Sequence, residues 1–267
     1  MIKKHTAILA AGIGAALILT GCSNDNDNSS DSAASAASSS TWTTPAAPTV
    51  DMSRFGALPA VPAPAAPTVD CSYIPDGQAA KPAQMPNATG IADEGATTLT
   101  LTTNQGPIGL TLDRAKAPCT VNSLVSLSEQ GYFDNTPCHR ISTTAPLQML
   151  QCGDPSGSGA GGPGYRYANE YPTTAYAPTD PALDNPVVYP RGTVAMAHSQ
   201  LPDSNGSQFF LVYADSVLPP QYTVLGTIDE AGLATIEKVA VAGDDGSSPA
   251  GGGAPKTPVT IETAKVG

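Results

Sequence analysis

Several short segments of the chain alternate between hydrophobic and polar residues, which is typical of β-strands that bury one face. The alternation is regular in TTLTLTT (97–103) and in IGLTLD (108–113), and the polar residues NQG (104–106) separate the two. We therefore predict a β-hairpin across these segments. Further short apolar segments predict strands at 138–142, 148–152, 193–197, 208–213, 222–228 and 258–266.

Two other segments have helical periodicity. In APCTVNSLVSLSEQG (117–131), Val121, Leu124 and Val125 fall on one helical face, and Gly131 is a typical C-terminal stop. The segment GLATIEKVA (232–240) predicts a second helix. Many short strands, few helices and loops rich in glycine and proline favour a fold dominated by β-structure, an antiparallel barrel. We place this domain at residues 94–267.

The first 21 residues have the pattern of an export signal. A short basic start, MIKKH, precedes an uncharged, mostly apolar stretch (7–19) that is too short to span a membrane and typical of a signal-peptide core. The following LTGC (19–22) resembles the bacterial lipoprotein signal, in which the cysteine is lipidated and becomes the new N-terminus. We therefore expect residues 1–21 to be a signal peptide and Cys22 to anchor the chain outside the bacterial cell membrane. A secreted protein with a leftover cysteine is the alternative.

Residues 22–93 are interpreted as a tether between this anchor and the domain. The segment SNDNDNSSDSAASAASSS (23–40) is small and polar, and the part that follows is rich in proline and alanine. Neither carries enough large apolar side chains to offset the entropy of ordering it.

The formal charge of −11 narrows the range of partners. Proteins that bind the phosphate backbone need a basic surface, so we expect no nucleic-acid partner. An acidic chain is also not attracted to anionic lipid, so the acyl chains would have to hold the protein at the membrane.

Four cysteines remain after Cys22, and an even number outside the cytoplasm predicts two disulfides. Four cysteines allow three pairings. Cys138 and Cys152 flank two segments predicted to be adjacent strands, which favours Cys138–Cys152 together with Cys71–Cys119. No CxxC motif is present, so we expect no metal. Nothing in the sequence requires an organic cofactor, and we expect none.

The segment CHRISTTAPLQMLQCGD (138–154) contains one arginine, Arg140, in apolar surroundings. Between Asp134 and Asp154 the sequence has no acid to pair with it. A guanidinium without a carboxylate partner is a candidate for a functional group.

Five motifs, in order and spacing, resemble the cyclophilin family of peptidyl-prolyl isomerases, and the resemblance runs from about Thr97 to Val266. The motifs are HRI (139–141), MLQCGD (149–154), VAMAH (194–198), NGSQFFLVY (205–213) and YTVLG (222–226). The resemblance implies an eight-stranded antiparallel barrel capped by two helices. It also implies isomerase activity on proline-containing peptides or unfolded exported proteins, and we expect a monomer.

The resemblance assigns roles to individual residues. Arg140 would donate to the prolyl nitrogen, Gln151 would position the substrate backbone, and Phe210 would line the proline pocket. The remaining substrate-binding candidates are Met149, Gln148, Ala197, His198, Gln208, Leu218 and Tyr222. His139 is interpreted as a packed or surface histidine.

Position 148 departs from the family, because relatives usually carry an aromatic residue there. Gln148 would weaken the pocket unless the neighbouring Leu147 side chain takes the place of that aromatic residue. Two functions therefore stay open: a lipid-anchored isomerase, and a module that binds proline-containing segments with little catalysis.

Overall fold

The computed structural model describes residues 50–199 and 201–267. The predicted signal peptide (1–21), the lipidation candidate Cys22 and residues 23–49 of the predicted tether lie outside the described residues. Within these two ranges, no helix is both long enough and apolar enough to cross a membrane.

Within the described residues, the regular elements include two α-helices and a series of mostly short strands. The helices are α1 (Pro118–Glu129) and α2 (Glu230–Val241). The strands, in chain order, are β1 (Gly56–Ala57), β2 (Thr68–Val69), β3 (Ile74–Pro75), β4 (Ile91–Ala92), β5 (Ala96–Thr103), β6 (Gly106–Asp113), β7 (Thr136–Pro137), β8 (Arg140–Ser142), β9 (Met149–Cys152), β10 (Tyr165–Arg166), β11 (Val187–Tyr189), β12 (Thr193–Met196), β13 (Phe209–Val212), β14 (Ser216–Leu218), β15 (Val224–Ile228) and β16 (Thr260–Val266).

A curled antiparallel sheet of nine strands forms the centre of the fold, in the order β7-β16-β5-β6-β15-β12-β13-β9-β8. The predicted fold class, β-structure arranged as an antiparallel barrel with two helices, is confirmed. The sheet has one strand more than the eight expected, because the two-residue β7 pairs with the start of β16. All eight predicted strands are present, and their ends differ from the prediction by at most two residues.

Helix α1 begins without a cap of its own, because Ala117 makes no capping hydrogen bond with its side chain. Glu170, from a distant loop, takes this role. Its carboxylate accepts hydrogen bonds from the backbone N–H groups of Cys119 at 3.0 Å and Thr120 at 2.8 Å. These are donors that the first turn of a helix leaves unpaired. The helix is therefore tied to the loop that follows β10.

The sheet buries apolar side chains on both of its faces. Inside the curl, Phe209 and Leu211 of β13 join a large cluster that includes Leu124 of α1. On the outer face, Phe210 and Val212 of the same strand join a second cluster. Successive residues of a strand point to opposite faces, so the run FFLV serves both layers. The loop 171–192 covers part of the outer layer through Tyr171, Val187 and Tyr189.

The structure differs from the prediction in residues 50–93, which were assigned to a tether and lie instead against the domain. Strand β1 pairs with β11, and β3 pairs with β10. The Tyr73 ring packs edge-on against Tyr165 and Tyr167 with centroid distances of 5.6 Å. The segment has few large apolar side chains, but a disulfide and this tyrosine cluster offset the entropy of ordering it.

Both predicted disulfides, Cys71–Cys119 and Cys138–Cys152, are present. The first joins residues 50–93 to α1. The second crosses from the residues before β8 to the end of β9, beside the predicted site.

Candidate active site

The register of the sheet brings three predicted site residues into one row. Arg140 of β8 lies opposite Gln151 of β9, and Gln151 lies opposite Phe210 of β13. Directly paired residues of adjacent strands point to the same face. The three side chains, which are far apart in sequence, therefore share the outer face of the sheet.

Beside this row lies a cavity of about 170 Å³. Eight of the predicted catalytic and substrate-binding residues contribute to its walls, together with two further residues, Leu147 and Ala250. These ten residues are Arg140, Leu147, Met149, Gln151, Ala197, His198, Phe210, Leu218, Tyr222 and Ala250. The mixture of one guanidinium, one amide and an apolar wall is the composition expected of a small peptide-binding pocket.

Arg140 is held by neutral acceptors. Its Nε donates to the carbonyl oxygen of Gly251 at 2.9 Å, and its Nη2 donates to that of Ala250 at 2.6 Å. Its Nη1 donates to Oε1 of Gln151 at 3.1 Å. Among the described residues, no carboxylate forms an ion pair with it. Each terminal nitrogen carries two N–H groups, so each keeps one for a ligand.

Burial affects the charge of Arg140 only slightly. Partial burial lowers the pKa of its guanidinium, and the electrostatic influence of Tyr222 acts in the opposite direction. A guanidinium is effectively always protonated in proteins. Arg140 therefore presents a full positive charge to the cavity at neutral pH.

A chain of amides fixes the orientation of Gln151. Its Nε2 donates to Oε1 of Gln208 at 2.9 Å. The Nε2 of Gln208 in turn donates to the carbonyl oxygens of Gly159 and Gly161, at 3.0 and 2.9 Å. Gln208, a substrate-binding candidate, is not among the residues that line this cavity. It supports Gln151 from behind and lines the larger cavity described below.

The glycine-rich loop that holds Gln208 is organised by Asp154, which is 0% exposed. Its carboxylate accepts from the N–H groups of Ser156 and Gly159, both at 2.8 Å, and of Gly161 at 3.0 Å. Burial by itself raises the pKa of this carboxyl group, but the hydrogen bonds from Ser156, Gly161 and Gly159 outweigh it and lower the pKa. Asp154 is thus a charged anchor for the loop.

The apolar wall contains a small aromatic stack. The Phe210 ring meets Tyr222 edge-on, with centroids 5.8 Å apart. The imidazole of His198 stacks on Tyr222 at 4.5 Å, and its Nδ1 lies 2.6 Å from the carbonyl oxygen of Ser199. Met149 and Leu218 complete this wall. The stack and the two aliphatic side chains thus line the same cavity as the guanidinium.

Gln148 is not part of the cavity, which corrects its assignment as a substrate-binding residue. Its neighbours in the chain, Leu147 and Met149, line the cavity, whereas the Gln148 side chain donates to the carbonyl oxygen of Thr143 at 3.5 Å. Alternation along the chain turns residue 148 away from the side chains of its neighbours. The sequence left Leu147 and Gln148 as candidates for one position on the pocket wall, and Leu147 occupies it.

His139 lies outside the cavity as well. Burial lowers the pKa of its imidazole, although the charge of Asp154 acts in the opposite direction. This location agrees with its interpretation as a packed histidine.

A second, larger cavity of about 570 Å³ adjoins the first and shares Gln151, Ala197 and His198 with it. One of its walls is formed by Asp76, Gly77 and Gln78. Sequence reasoning missed this wall because it lies in the segment assigned to a tether, where no motif marks it.

Comparison with known proteins gives a consistent result. A family model described as cyclophilin type peptidyl-prolyl cis-trans isomerase/CLD matches residues 98–266. The chain is 54% identical over 200 residues to a probable peptidyl-prolyl cis-trans isomerase B of Mycobacterium leprae, a match that covers 74% of this chain and 67% of the relative. It is 52% identical over 194 residues to a protein of the same description from Mycobacterium tuberculosis, covering 72% and 62% of the two chains.

The fold of this chain is also similar to that of a solved structure. The crystal structure of a cyclophilin type peptidyl-prolyl cis-trans isomerase from Cryptosporidium parvum superposes with a TM-score of 0.51 at 26% identity. The superposition covers 65% of this chain and 98% of that one.

Proposed function

This chain belongs to the cyclophilin-type peptidyl-prolyl cis-trans isomerases, and we propose that it uses Arg140 to stabilise the twisted amide of a prolyl peptide bond. The peptide bond before proline rotates slowly, because amide resonance imposes a barrier of roughly 18–20 kcal/mol. Its isomerisation needs no covalent chemistry. It needs a surface that binds the twisted amide more tightly than either planar form.

The observation that carries this proposal is the set of hydrogen bonds made by the Arg140 guanidinium. Three neutral acceptors fix its plane, and one N–H group on each terminal nitrogen is left over for a ligand. As the amide twists, the prolyl nitrogen becomes pyramidal and gains a lone pair that can accept a hydrogen bond. A charged donor on the wall of the proline pocket favours this twisted form over the planar ones.

The apolar wall supplies the complementary part of the site. The proline ring would rest against Phe210, Met149 and Leu218, whose side chains face the cavity together with the guanidinium. In this orientation the prolyl nitrogen, at the edge of the ring, would lie on the side of Arg140.

The required magnitudes are modest. A rate enhancement of ~10⁵-fold corresponds to about 7 kcal/mol. One well-placed donor in a site that excludes water contributes roughly 3–4 kcal/mol. Orientation of the peptide against the apolar wall can supply the rest.

The alternative of a binding module with little catalysis is less well supported. Its main basis was Gln148 in the pocket, and Leu147 lines the pocket instead.

The test is a protease-coupled assay with a chromogenic Ala-Pro peptide and the full chain purified in detergent. We expect Arg140→Ala to lower kcat/KM by about 10²–10³-fold, as expected for loss of one preorganised donor. Arg191→Ala is the matched control, because Arg191 forms its ion pairs with Glu230 and Glu237 away from the cavity. Equal rates for wild type and Arg140→Ala would leave only the binding function.

We also propose that the protein acts on exported chains while anchored outside the cell membrane through Cys22. The support is the LTGC sequence at 19–22 and the basic and apolar segments before it. Incorporation of labelled palmitate and recovery with membranes should both be lost in Cys22→Ser. Unchanged membrane recovery of that variant would refute the anchor without affecting the isomerase assay.

A further inference from the structure

The loop after α2, residues 244–255, supplies the two backbone carbonyl groups that hold Arg140. This 244–255 loop has the sequence DDGSSPAGGGAP and contains no large side chain that could fix its shape by packing. Its shape therefore depends on hydrogen bonds. Asp244 accepts from the N–H of Gly246 and from the hydroxyl of Thr143 at the start of the loop, and one further residue links the two halves of the loop.

That residue is Asp245. Its Oδ1 accepts a hydrogen bond from the N–H of Ser247 at 3.0 Å and another from the N–H of Ala254 at 2.8 Å. The backbone N–H of Asp245 also donates to the carbonyl oxygen of Ala254 at 3.2 Å. One carboxylate oxygen thus joins the outgoing and the returning halves of the loop.

Between these two fixed points the chain makes a tight turn. The N–H of Ser248 donates to the carbonyl oxygen of Gly252 at 3.1 Å, and the N–H of Gly251 donates to that of Ser248 at 3.0 Å. Gly251 and Gly252 have φ values of +87° and +69°, which favour glycine. The turn directs the carbonyl groups of Ala250 and Gly251 towards the guanidinium.

The returning half of the loop is attached to the strand that carries Arg140. Ile141 and Gly253 exchange two backbone hydrogen bonds, at 2.8 and 3.0 Å. No Cβ would fit at Gly253, because the Asp245 carboxylate occupies that space. The path from Asp245 to Arg140 therefore consists of short, directional contacts.

From this geometry we propose that Asp245 is a positioning residue for the isomerase reaction, acting through the carbonyl groups of Ala250 and Gly251 on the orientation of Arg140. The proposal rests on the proposed role of Arg140. Asp245 itself does not line the cavity. Its effect is to keep the two remaining N–H groups of the guanidinium aimed at the prolyl nitrogen.

The proposal requires a loss of kcat that exceeds any change in KM. Asp245→Ala loosens the donor and the loop residue Ala250, but leaves the wall formed by Phe210, Met149 and Leu218 in place. A misplacement of about 1 Å can cost up to ~10²-fold, so we expect a loss of about 10-fold in kcat. Asp245→Asn keeps an acceptor oxygen for Ser247 and Ala254 and should restore most of the activity. Asp51→Ala is the matched control, since Asp51 is an exposed acid that accepts from Ser53 in a similar local turn.

A double-mutant cycle with the full chain tests the path itself. In the Arg140→Ala background, Asp245→Ala should cause no further loss of activity. The Nε–H resonance of Arg140 should also exchange faster with water in Asp245→Ala, because its acceptor on Gly251 has become mobile. Melting temperatures of all variants show whether a loss reflects unfolding.

The outcomes separate the two proposals. Full activity of Arg140→Ala would refute the proposed function. A strong effect of Arg140→Ala combined with wild-type kcat in Asp245→Ala would refute only the role of Asp245. An equal loss from Asp245→Ala in the presence and absence of Arg140 would also refute it, because the effect would not pass through the guanidinium.

Discussion

Arg140 and Gln151 face each other across β8 and β9, and Nη1 of the arginine donates to Oε1 of the glutamine at 3.1 Å. The Gln151 amide can face only this way. Gln208 donates its own N–H groups to Gly159 and Gly161, so its oxygen faces Gln151 and requires a donor there. The oxygen of Gln151 is therefore left for the arginine, and the register of two strands sets the orientation of the guanidinium.

Gln151→Glu tests this arrangement with a change of one atom. The carboxylate would place a negative charge next to Arg140 and would set an acceptor against Oε1 of Gln208. The new carboxylate would hold the guanidinium in a charge-assisted pair and make it less available to a ligand. We therefore expect kcat/KM to fall about 10-fold or more. Gln105→Glu in the β5–β6 turn, far from the cavity, should retain activity. A Gln151→Glu variant with wild-type kcat/KM would contradict the model.

The leucines offer a matched pair for the apolar wall. Leu218 lines the cavity, whereas Leu201 is 71% exposed outside it. Leu218→Ala removes apolar contact with the proline ring, which should weaken peptide binding by about 1–2 kcal/mol. Leu201→Ala should leave binding unchanged. Titration of a proline-containing peptide into each variant measures the difference, and equal affinities would show that the ring binds elsewhere.

The sequence was sufficient to predict most of the central sheet, because alternation along a strand directly reflects a sheet with a buried face. Strands β5 and β6 were predicted from this alternation, the other long strands from short apolar segments, and both helices from helical periodicity. The two- and three-residue strands β7, β10, β11 and β14 were missed, because segments this short show no regular alternation. The equally short β8 was found only because it lies within a longer apolar segment, 138–142.

The site was predictable only in part. Arg140, Gln151 and Phe210 lie in motifs that resemble those of a known family. The roles of Ala250 and Gly251 were not visible, because they act through backbone carbonyl groups that any residue possesses. The position of residues 50–93 was missed although the predicted Cys71–Cys119 disulfide ties this segment to α1. Its other contacts, the two-residue strands β1 and β3 and the packing of Tyr73, leave no pattern in the sequence.

The two disulfides should differ in what their removal changes. Cys71 and Cys119 are separated by 48 residues, and Cys138 and Cys152 by 14. Chain-entropy estimates for loops of these lengths give about 4 and about 3 kcal/mol of the free energy of unfolding, respectively. Double serine variants should follow this order in denaturant titrations.

The loss of isomerase activity in the two double serine variants should follow the opposite order. The Cys138–Cys152 bond lies beside the strands that pair Arg140 with Gln151, whereas Cys71–Cys119 lies at α1. The Cys138→Ser/Cys152→Ser variant should therefore lose more kcat than the other double variant under conditions where both are folded. Equal kcat values in the two variants would show that the strand register does not depend on this bond.

Asp154 provides a prediction for pH. Its pKa is lowered in the folded protein because hydrogen bonds from Ser156, Gly161 and Gly159 outweigh the opposing effect of burial. A carboxyl group with a lowered pKa contributes fully to stability above its ordinary pKa of about 3.9 and loses this contribution as the pH falls below that value. Asp154→Asn presents an N–H group where the loop offers only donors, so it should lower the free energy of unfolding at pH 7.

Urea titrations of wild type and Asp154→Asn between pH 7 and pH 3 measure this contribution. The difference in the free energy of unfolding should stay constant from pH 7 to about pH 5 and shrink below about pH 4, where the wild-type carboxylate becomes protonated. Asp51→Asn, which changes an exposed acid, should show little difference at any pH. Because Asp154 holds the loop that supports Gln208 and Gln151, Asp154→Asn should also lower isomerase activity at pH 7. A stability difference that does not change down to pH 3 would show that the charge of Asp154 does not stabilise the loop.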